Sequence, residues 1–245
     1  MTLYVSILSV AAVVAAAAAC VDAWRFLETW TGRIRIGRWR DRRAWQDALA
    51  RRASAWIKRM PPVPKKDQGR LVLWDMMRGA YADAAIQGWQ LAGLSLGLNA
   101  YAGDRNDGDL REKLRDTLGR HELVVNYLER ENPGTWEVDR MLLDYAVLEA
   151  GCGVEERLVE KSLAFLESLK TEAGTLAYRR GQPAVRYVDT IGLACPLAAA
   201  CAARTGREED WNLAARQVEE YDAALLAGSS FPAHGFEMDR GYPLG

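Results

Sequence analysis

The amino-acid sequence predicts an all-α protein. Apolar residues recur three and four positions apart in successive stretches, each closed by Gly, Pro or Asn. Alternating β-branched runs bounded by hairpin turns are almost absent. The chain also opens on an uncharged apolar run, Leu3 to Cys20, which predicts a hydrophobic helix ahead of the helical domain. With 49% hydrophobic and 27% charged residues, the composition excludes a disordered chain.

Three segments follow from this pattern. Residues 1–22 are expected to form a membrane anchor, 23–40 a basic and aromatic juxtamembrane segment, and 41–245 the helical domain. The run LYVSILSVAAVVAAAAAC is about long enough to cross a hydrocarbon core of roughly 30 Å as a helix. No Lys or Arg precedes it, unlike a cleaved signal peptide, so an uncleaved anchor through residues 3–20 is expected. Arg25, Arg33, Arg35, Arg38 and Arg40 follow it, and the positive-inside rule then places the domain in the cytoplasm. Trp24, Trp30 and Trp39 alternate with these arginines, as in an interfacial belt.

Seven helices are expected in the domain. Asp41 caps the first, which carries Trp45, Leu49, Ala53 and Trp56 and ends before Pro61-Pro62. A Pro/Lys loop runs from Pro61 to Gly69. The second helix spans Trp74 to Tyr101 and is broken by the Gly- and Asp-rich run from Ala100 to Asp109. The third runs from Leu110 to Glu131 and stops at Asn132-Pro133-Gly134. Glu137 to Ala150 and Glu155 to Lys170 are the fourth and fifth, separated by Gly151-Cys152-Gly153. A loop with the weakly strand-like Leu176-Ala177-Tyr178 follows. Val188 to Thr205 is the sixth, ended by Gly206, and Glu208 to Leu226 the seventh.

Charge and cysteine usage narrow the chemistry. The net charge of -1 gives no global field toward nucleic acid, and the basic stretch from Arg25 to Arg59 carries no nucleic-acid motif. Cys20, Cys152, Cys195 and Cys201 form no CxxC pair, so neither a disulfide framework nor a zinc site is expected. Two histidines, His121 and His234, exclude a histidine-rich metal site. No metal and no organic cofactor is expected.

Three places carry chemistry-bearing residues. Trp136-Glu137-Val138-Asp139-Arg140 stands at a helix start, where carboxylates also serve simply as favourable charge at the positive end of the helix dipole. Arg186-Tyr187-Val188-Asp189-Thr190-Ile191-Gly192 stands at another, and here too capping is the plainer role. Tyr187 and the apolar residues from Ile191 to Cys195 would, however, partly desolvate the Asp189 carboxyl, which is how a carboxyl becomes a general acid. Pro196 interrupts the same helix and predicts a local kink. In the loop Pro232-Ala233-His234-Gly235-Phe236-Glu237, the histidine is flanked by Phe231, Phe236 and Tyr242, an aromatic floor of the kind on which sugar rings stack.

In that order the three motifs resemble those of the unsaturated glucuronyl and unsaturated rhamnogalacturonyl hydrolases, over roughly residues 75 to 245. Tyr187-Val-Asp-Thr-Ile-Gly-Leu-Ala-Cys-Pro196 resembles their stretch with an aromatic residue, an aspartate and a downstream proline. His234-Gly-Phe resembles their His-Gly-aromatic motif. The resemblance implies an (α/α)6 barrel, preceded here by the N-terminal hydrophobic helix. Asp189 would be the general acid/base, and Asp139 the second carboxylate that holds substrate and water. His234, Trp136, Tyr187, Arg186 and Phe236 would bind the sugar, with Arg140 a further partner for the uronate. The implied reaction hydrates the C4=C5 double bond of a 4,5-unsaturated uronic acid at the end of an oligosaccharide, without metal or cofactor.

Cys195 and Glu237 depart from the family pattern, in which a bulky apolar residue and an aspartate are usual. The chain also ends at Gly241-Tyr-Pro-Leu-Gly245, where the family continues into a Trp-Gly-Arg-Gly motif. An incomplete barrel is therefore expected, with self-association through its exposed edge. Two rival readings stand beside the hydrolase. One is a non-catalytic, membrane-anchored helical protein that binds a glycan or partner in surface-polysaccharide metabolism. The other is an interaction scaffold in which Asp139 and Asp189 only cap helices. In the scaffold the two aspartates and His234 would point apart, each to its own helix end.

Overall fold

The computed structural model describes residues 2–35, 41–60, 86–129, 138–172, 174–179, 181–225, 234–237 and 242–244. The chain divides into two compact units, Met1–Leu49 with Pro62–Ala85, and Ala50–Pro61 with Ile86–Gly245. Nine helices and three short strands lie among the described residues. The protein is all-α, as the periodicity predicts.

The first unit holds α1 (Thr2–Arg35) and the start of α2 (Arg42–Trp56). Asp41 accepts the Arg43 N–H at 2.8 Å and so occupies the capping position expected of it. Tyr4, Val5, Ile7, Leu8, Val10, Val13 and Val14 of α1 are exposed. Among the described residues no helix is long and apolar enough to cross a membrane. This overturns the expectation of a transmembrane helix and, with it, the membrane-anchored localisation and the orientation derived from the arginines. The physical weakness lies in composition. Seven of the residues from Leu3 to Cys20 are alanine, which supply little of the insertion free energy that Leu, Ile, Phe and Val provide.

The second unit contains the rest of α2, then α3 (Gly88–Arg105), α4 (Gly108–Gly119), α5 (Glu122–Glu129), α6 (Arg140–Ala150) and α7 (Glu155–Leu169). Strand β1 (Val185–Tyr187) leads into α8 (Asp189–Thr205), followed by α9 (Glu208–Leu225), β2 (Gly235–Glu237) and β3 (Tyr242–Leu244). The helix ends follow local chemistry. Asn106 takes the left-handed conformation at φ 53° and closes α3, and Asp107 then caps α4 by accepting the Leu110 N–H at 2.9 Å. Gly206, at φ 74°, closes α8.

Two expected helices differ. The helix expected from Trp74 to Tyr101 starts at Gly88, after an extended Gln87, with residues 74–85 outside the described residues. Its break falls at Asn106 rather than from Ala100, because Tyr101 and Ala102 still lie on its buried face. The single helix expected from Leu110 to Glu131 is two, divided at Arg120 and His121. There the His121 Nδ1 accepts the Leu123 N–H at 3.2 Å and supplies the cap for a new helix start.

α3, α6 and α8 pack against one another in series, while α4, α7 and α9 lie against this row and α5 lies against α4 and α7. The helices thus form successive hairpins in two layers. α6 is central. It touches α3, α4, α7 and α8, and Met141, Leu143, Ala146, Val147, Leu148 and Ala150 are buried along it. Each fully buried leucine or methionine of this core contributes about 1.5–3 kcal/mol relative to exposure.

One ionic group sits inside this core. Asp144 is completely buried and accepts from Arg140 Nε at 2.8 Å and from the Ser162 hydroxyl at 2.9 Å. Burial pushes its carboxyl pKa up, and the Arg140 guanidinium and the Ser162 hydroxyl pull it back down. Arg140 also lies 4.1 Å from the Tyr127 ring centroid and donates to the Leu123 carbonyl at the start of α5. The pair therefore ties α6 to α5 and α7.

Candidate functional site

The site is built by a strand register. β1 and β2 are antiparallel, with Val185 opposite Glu237, Arg186 opposite Phe236 and Tyr187 opposite Gly235. The Val188 N–H extends this ladder by donating to the His234 carbonyl at 2.9 Å. Since α8 starts at the next residue, the pairing brings His234 beside Asp189. Their side chains stand 4.0 Å apart, Nε2 to Oδ2, and both are about half exposed, at 57% and 53%. β3 completes a three-stranded antiparallel sheet on the far side of β2.

Tyr187 joins this pair to the second aspartate. Its ring centroid lies 5.4 Å from His234 and 5.0 Å from Tyr178, the latter contact edge-on. The Tyr178 hydroxyl in turn donates to Asp139 Oδ1 at 3.4 Å, a long hydrogen bond. The backbone reinforces it, because the Val138 N–H points at the Tyr178 carbonyl at 3.4 Å. Asp139, Tyr178, Tyr187, His234 and Asp189 thus form one continuous run of contacts between the N-terminal ends of α6 and α8. Tyr178 was not among the residues singled out in the sequence. Its only signal there is the strand-like Leu176-Ala177-Tyr178, in which Leu176 and Ala177 are buried and Tyr178 is half-buried.

Neither aspartate acts as a cap. Asp139 precedes α6 and Val188 precedes α8, and no side-chain capping hydrogen bond is present at either start. The desolvation expected around Asp189 is also not seen. With 53% of its side chain exposed, the apolar residues after it turn into the core and leave the carboxyl facing solvent.

Two arginines expected to meet a uronate are committed elsewhere. Arg186 is only 1% exposed, and its guanidinium donates to the Pro183 and Val185 carbonyls and to the Thr175 hydroxyl. Side chains alternate across a strand, so Arg186 and Tyr187 occupy opposite faces of β1 and cannot both face one sugar. Arg186 is instead an interior group, close enough to Glu220 and Tyr221 of α9 to counter part of the rise that burial causes in both pKa values. Arg140 is spent on Asp144 and the Leu123 carbonyl. Trp136 lies outside the described residues, as do Phe231 and the side chains of Phe236 and Tyr242; the backbone of Phe236 pairs with Arg186.

Two grooves lie away from this cluster. One, of about 470 Å³, involves Leu163, Leu166, Lys170, Arg207 and Asp210. The other, of about 440 Å³, involves Ile57, Lys58, Leu98, Leu110 and Lys113. Neither includes a candidate residue. Among the described residues no group of three or more His, Cys, Asp or Glu side chains is placed to hold a metal ion. The arrangement offers two carboxylates, an imidazole beside one of them, and aromatic rings between them. Such a set can stack a sugar and exchange protons with it. No protein-family model, curated protein or solved structure matches the chain.

Proposed function

We propose that the chain is a glycoside hydrolase of the unsaturated uronyl type, with its helices arranged as in an (α/α)6 barrel. The observation that carries this reading is the single run of contacts from Asp139 through Tyr178, Tyr187 and His234 to Asp189. Helices that merely used their aspartates as caps would give no reason for the five side chains to meet. The two-layer order of the helices supports the barrel, because α3, α6 and α8 would be inner helices and α4, α7 and α9 outer ones.

In the proposed reaction the terminal sugar stacks on Tyr187 and displaces water from the half-exposed Asp189. Asp189 delivers a proton to C4 of the C4=C5 double bond. Water adds at C5 and gives its proton back to the Asp189 carboxylate. The resulting hemiketal opens, and the glycosidic bond is lost. Asp139, held by the Tyr178 hydroxyl, positions the sugar and the water. His234 stands 4.0 Å from Asp189, on the side of the site that the sugar would enter.

The test is the loss of the ultraviolet absorbance of the conjugated double bond when the protein meets an unsaturated uronyl disaccharide. Wild-type protein is expected to consume the chromophore, and Asp189→Asn to do so about 10²–10⁴-fold more slowly, the usual contribution of a positioned acid. A flat trace from wild type with an intact helical circular dichroism spectrum would overturn the hydrolase. A second reading, a non-catalytic helical protein that binds a glycan or partner, is favoured by one observation. The 4.0 Å separation and shared exposure of Asp189 and His234 suit ligand contact as well as proton transfer. Binding of the disaccharide without turnover would select it.

A further inference from the structure

We propose that the groove between α2, α3 and α4 binds a single-chain anionic amphiphile, an alkyl chain with a carboxylate head. The groove holds about 440 Å³, within the range of small-molecule sites, and its lining belongs to the second unit. Its walls are the aliphatic side chains of Ile57, Leu98, Leu110 and Leu114. Among the described lining residues there is no aromatic ring, so a sugar or a nucleobase finds nothing to stack on. An alkyl chain needs only apolar surface to lie against.

Charge selects the head group. Lys58 and Lys113 also line the groove and are exposed, and among the described residues neither ammonium group has an ion-pair or hydrogen-bond partner. The other charged lining residues, Asp116 and Arg120, pair with each other at 3.3 Å. Three cations against one carboxylate leave a surplus of two positive charges, which an anion complements. The hydroxyls of Ser54 and Thr117 are spent within their own helices, donating to the Ala50 carbonyl at 2.8 Å and to the Lys113 carbonyl at 2.7 Å. A carboxylate at this groove therefore meets the two lysines as its donors. Each lysine can lay its methylenes along the aliphatic wall while its ammonium group stays at the surface beside the head. The two sides of the groove are also tied together. Next to Lys58, the Arg59 carbonyl meets Nε2 of His121, just beyond α4, at 2.9 Å.

The experiment is calorimetric titration of the full chain with decanoate below its micelle concentration, beside hexanoate, acetate and decyltrimethylammonium. Decanoate is expected to bind once per chain, with acetate and the cation at least about tenfold weaker. Each methylene removed from the alkyl chain should lower affinity by up to about fourfold, the equivalent of one buried methylene. Lys58→Gln together with Lys113→Gln should weaken decanoate about tenfold to a hundredfold, and added salt should weaken it for the parent. Lys58→Arg together with Lys113→Arg keeps the charge and should hold affinity within about threefold. Decanoate binding that the two glutamine changes leave unaltered would overturn the inference, because the ligand would then sit elsewhere. Affinity independent of chain length would also overturn it, by reducing the site to a contact with any anion. Absence of decanoate binding would do the same. None of these outcomes touches the site at Asp139 and Asp189, whose test is turnover.

Discussion

A single glycine controls whether the two halves of the candidate site can approach. A Cβ at Gly235 would come within 2.6 Å of the Arg186 carbonyl oxygen and 2.7 Å of the Tyr187 ring. The carbonyl belongs to the β1 backbone and the ring is the residue that bridges His234 to Tyr178, so neither can give way without moving the site. Gly235→Ala is therefore expected to destabilise the protein by about 1–3 kcal/mol, the range for overpacking, and to lower activity by more than the stability loss explains. Urea unfolding beside the absorbance assay separates the two effects; unchanged activity would mean that Tyr187 can shift without consequence. At this scale the sequence was informative where residues are adjacent. Asp189, Tyr187 and His234 could be singled out because each sits in a short motif of aromatic, acidic and glycine residues. Arg186 misled, because adjacency along a chain says nothing about which face of a strand a side chain takes. Tyr178 was missed because a half-buried tyrosine in an irregular loop has no periodic signature, and its partners are 39 residues before it and nine after it in the chain.

Helix ends in the second unit are closed by side chains from other segments, and His121 does this with a defined protonation state. Its Nε2 meets the Arg59 carbonyl, just after α2, at 2.9 Å, while Nδ1 faces the Leu123 N–H at 3.2 Å. Only the neutral ring with its proton on Nε2 satisfies both, since a second proton would set two donors against each other. Burial lowers its pKa below the ordinary 6.5; the Arg59 carbonyl and Glu122 oppose this, and Arg140 adds to it. The unfolded chain thus takes up a proton near pH 6.5 while the folded chain resists until lower pH. The contribution to stability is full above that value and is lost as pH falls from it through the folded pKa. His121→Gln should flatten the decline in the urea midpoint between about pH 7 and pH 5. An unchanged slope would assign the decline to other groups. The same residue explains why the helix expected from Leu110 to Glu131 divides. Continuous periodicity from Leu110 to Glu131 hides the break, because apolar residues on both sides fit one stripe and a buried histidine looks polar in the sequence. Long helices with Gly or Pro at their ends, such as α7 and α8, were legible. The strands were not, because three residues are too few for an alternation to register.

Across the second unit, cationic side chains bind the carbonyls near helix ends and join one helix to another. Arg115 Nε donates to the Ala150 carbonyl at 2.9 Å, Arg204 to the Leu148 carbonyl at 3.0 Å, and Lys161 to the Leu128 carbonyl at 3.2 Å. Each bond crosses from one helix to another, so opening any one helix breaks contacts in the next, and the unit should open as a whole. Its thiols report this. Cys152, Cys195 and Cys201 are free but partly or fully buried, and burial pushes their pKa values from the ordinary 9.0 to about 11, about 11 and about 12. A rise of two units cuts the thiolate fraction near neutral pH about a hundredfold, and the thiolate is the species that reacts. Cys20, on α1, is exposed. Ellman's reagent at mildly alkaline pH should therefore label one thiol at once and the other three far more slowly. With rising urea the three slow thiols should gain reactivity together, at the same denaturant concentration at which helical ellipticity is lost. Early labelling of Cys152 alone would show that the turn between α6 and α7 opens by itself. Early labelling of Cys195 and Cys201 would show that α8, and with it Asp189, detaches from the layered core before the rest, which would place the candidate site on the least stable part of the molecule.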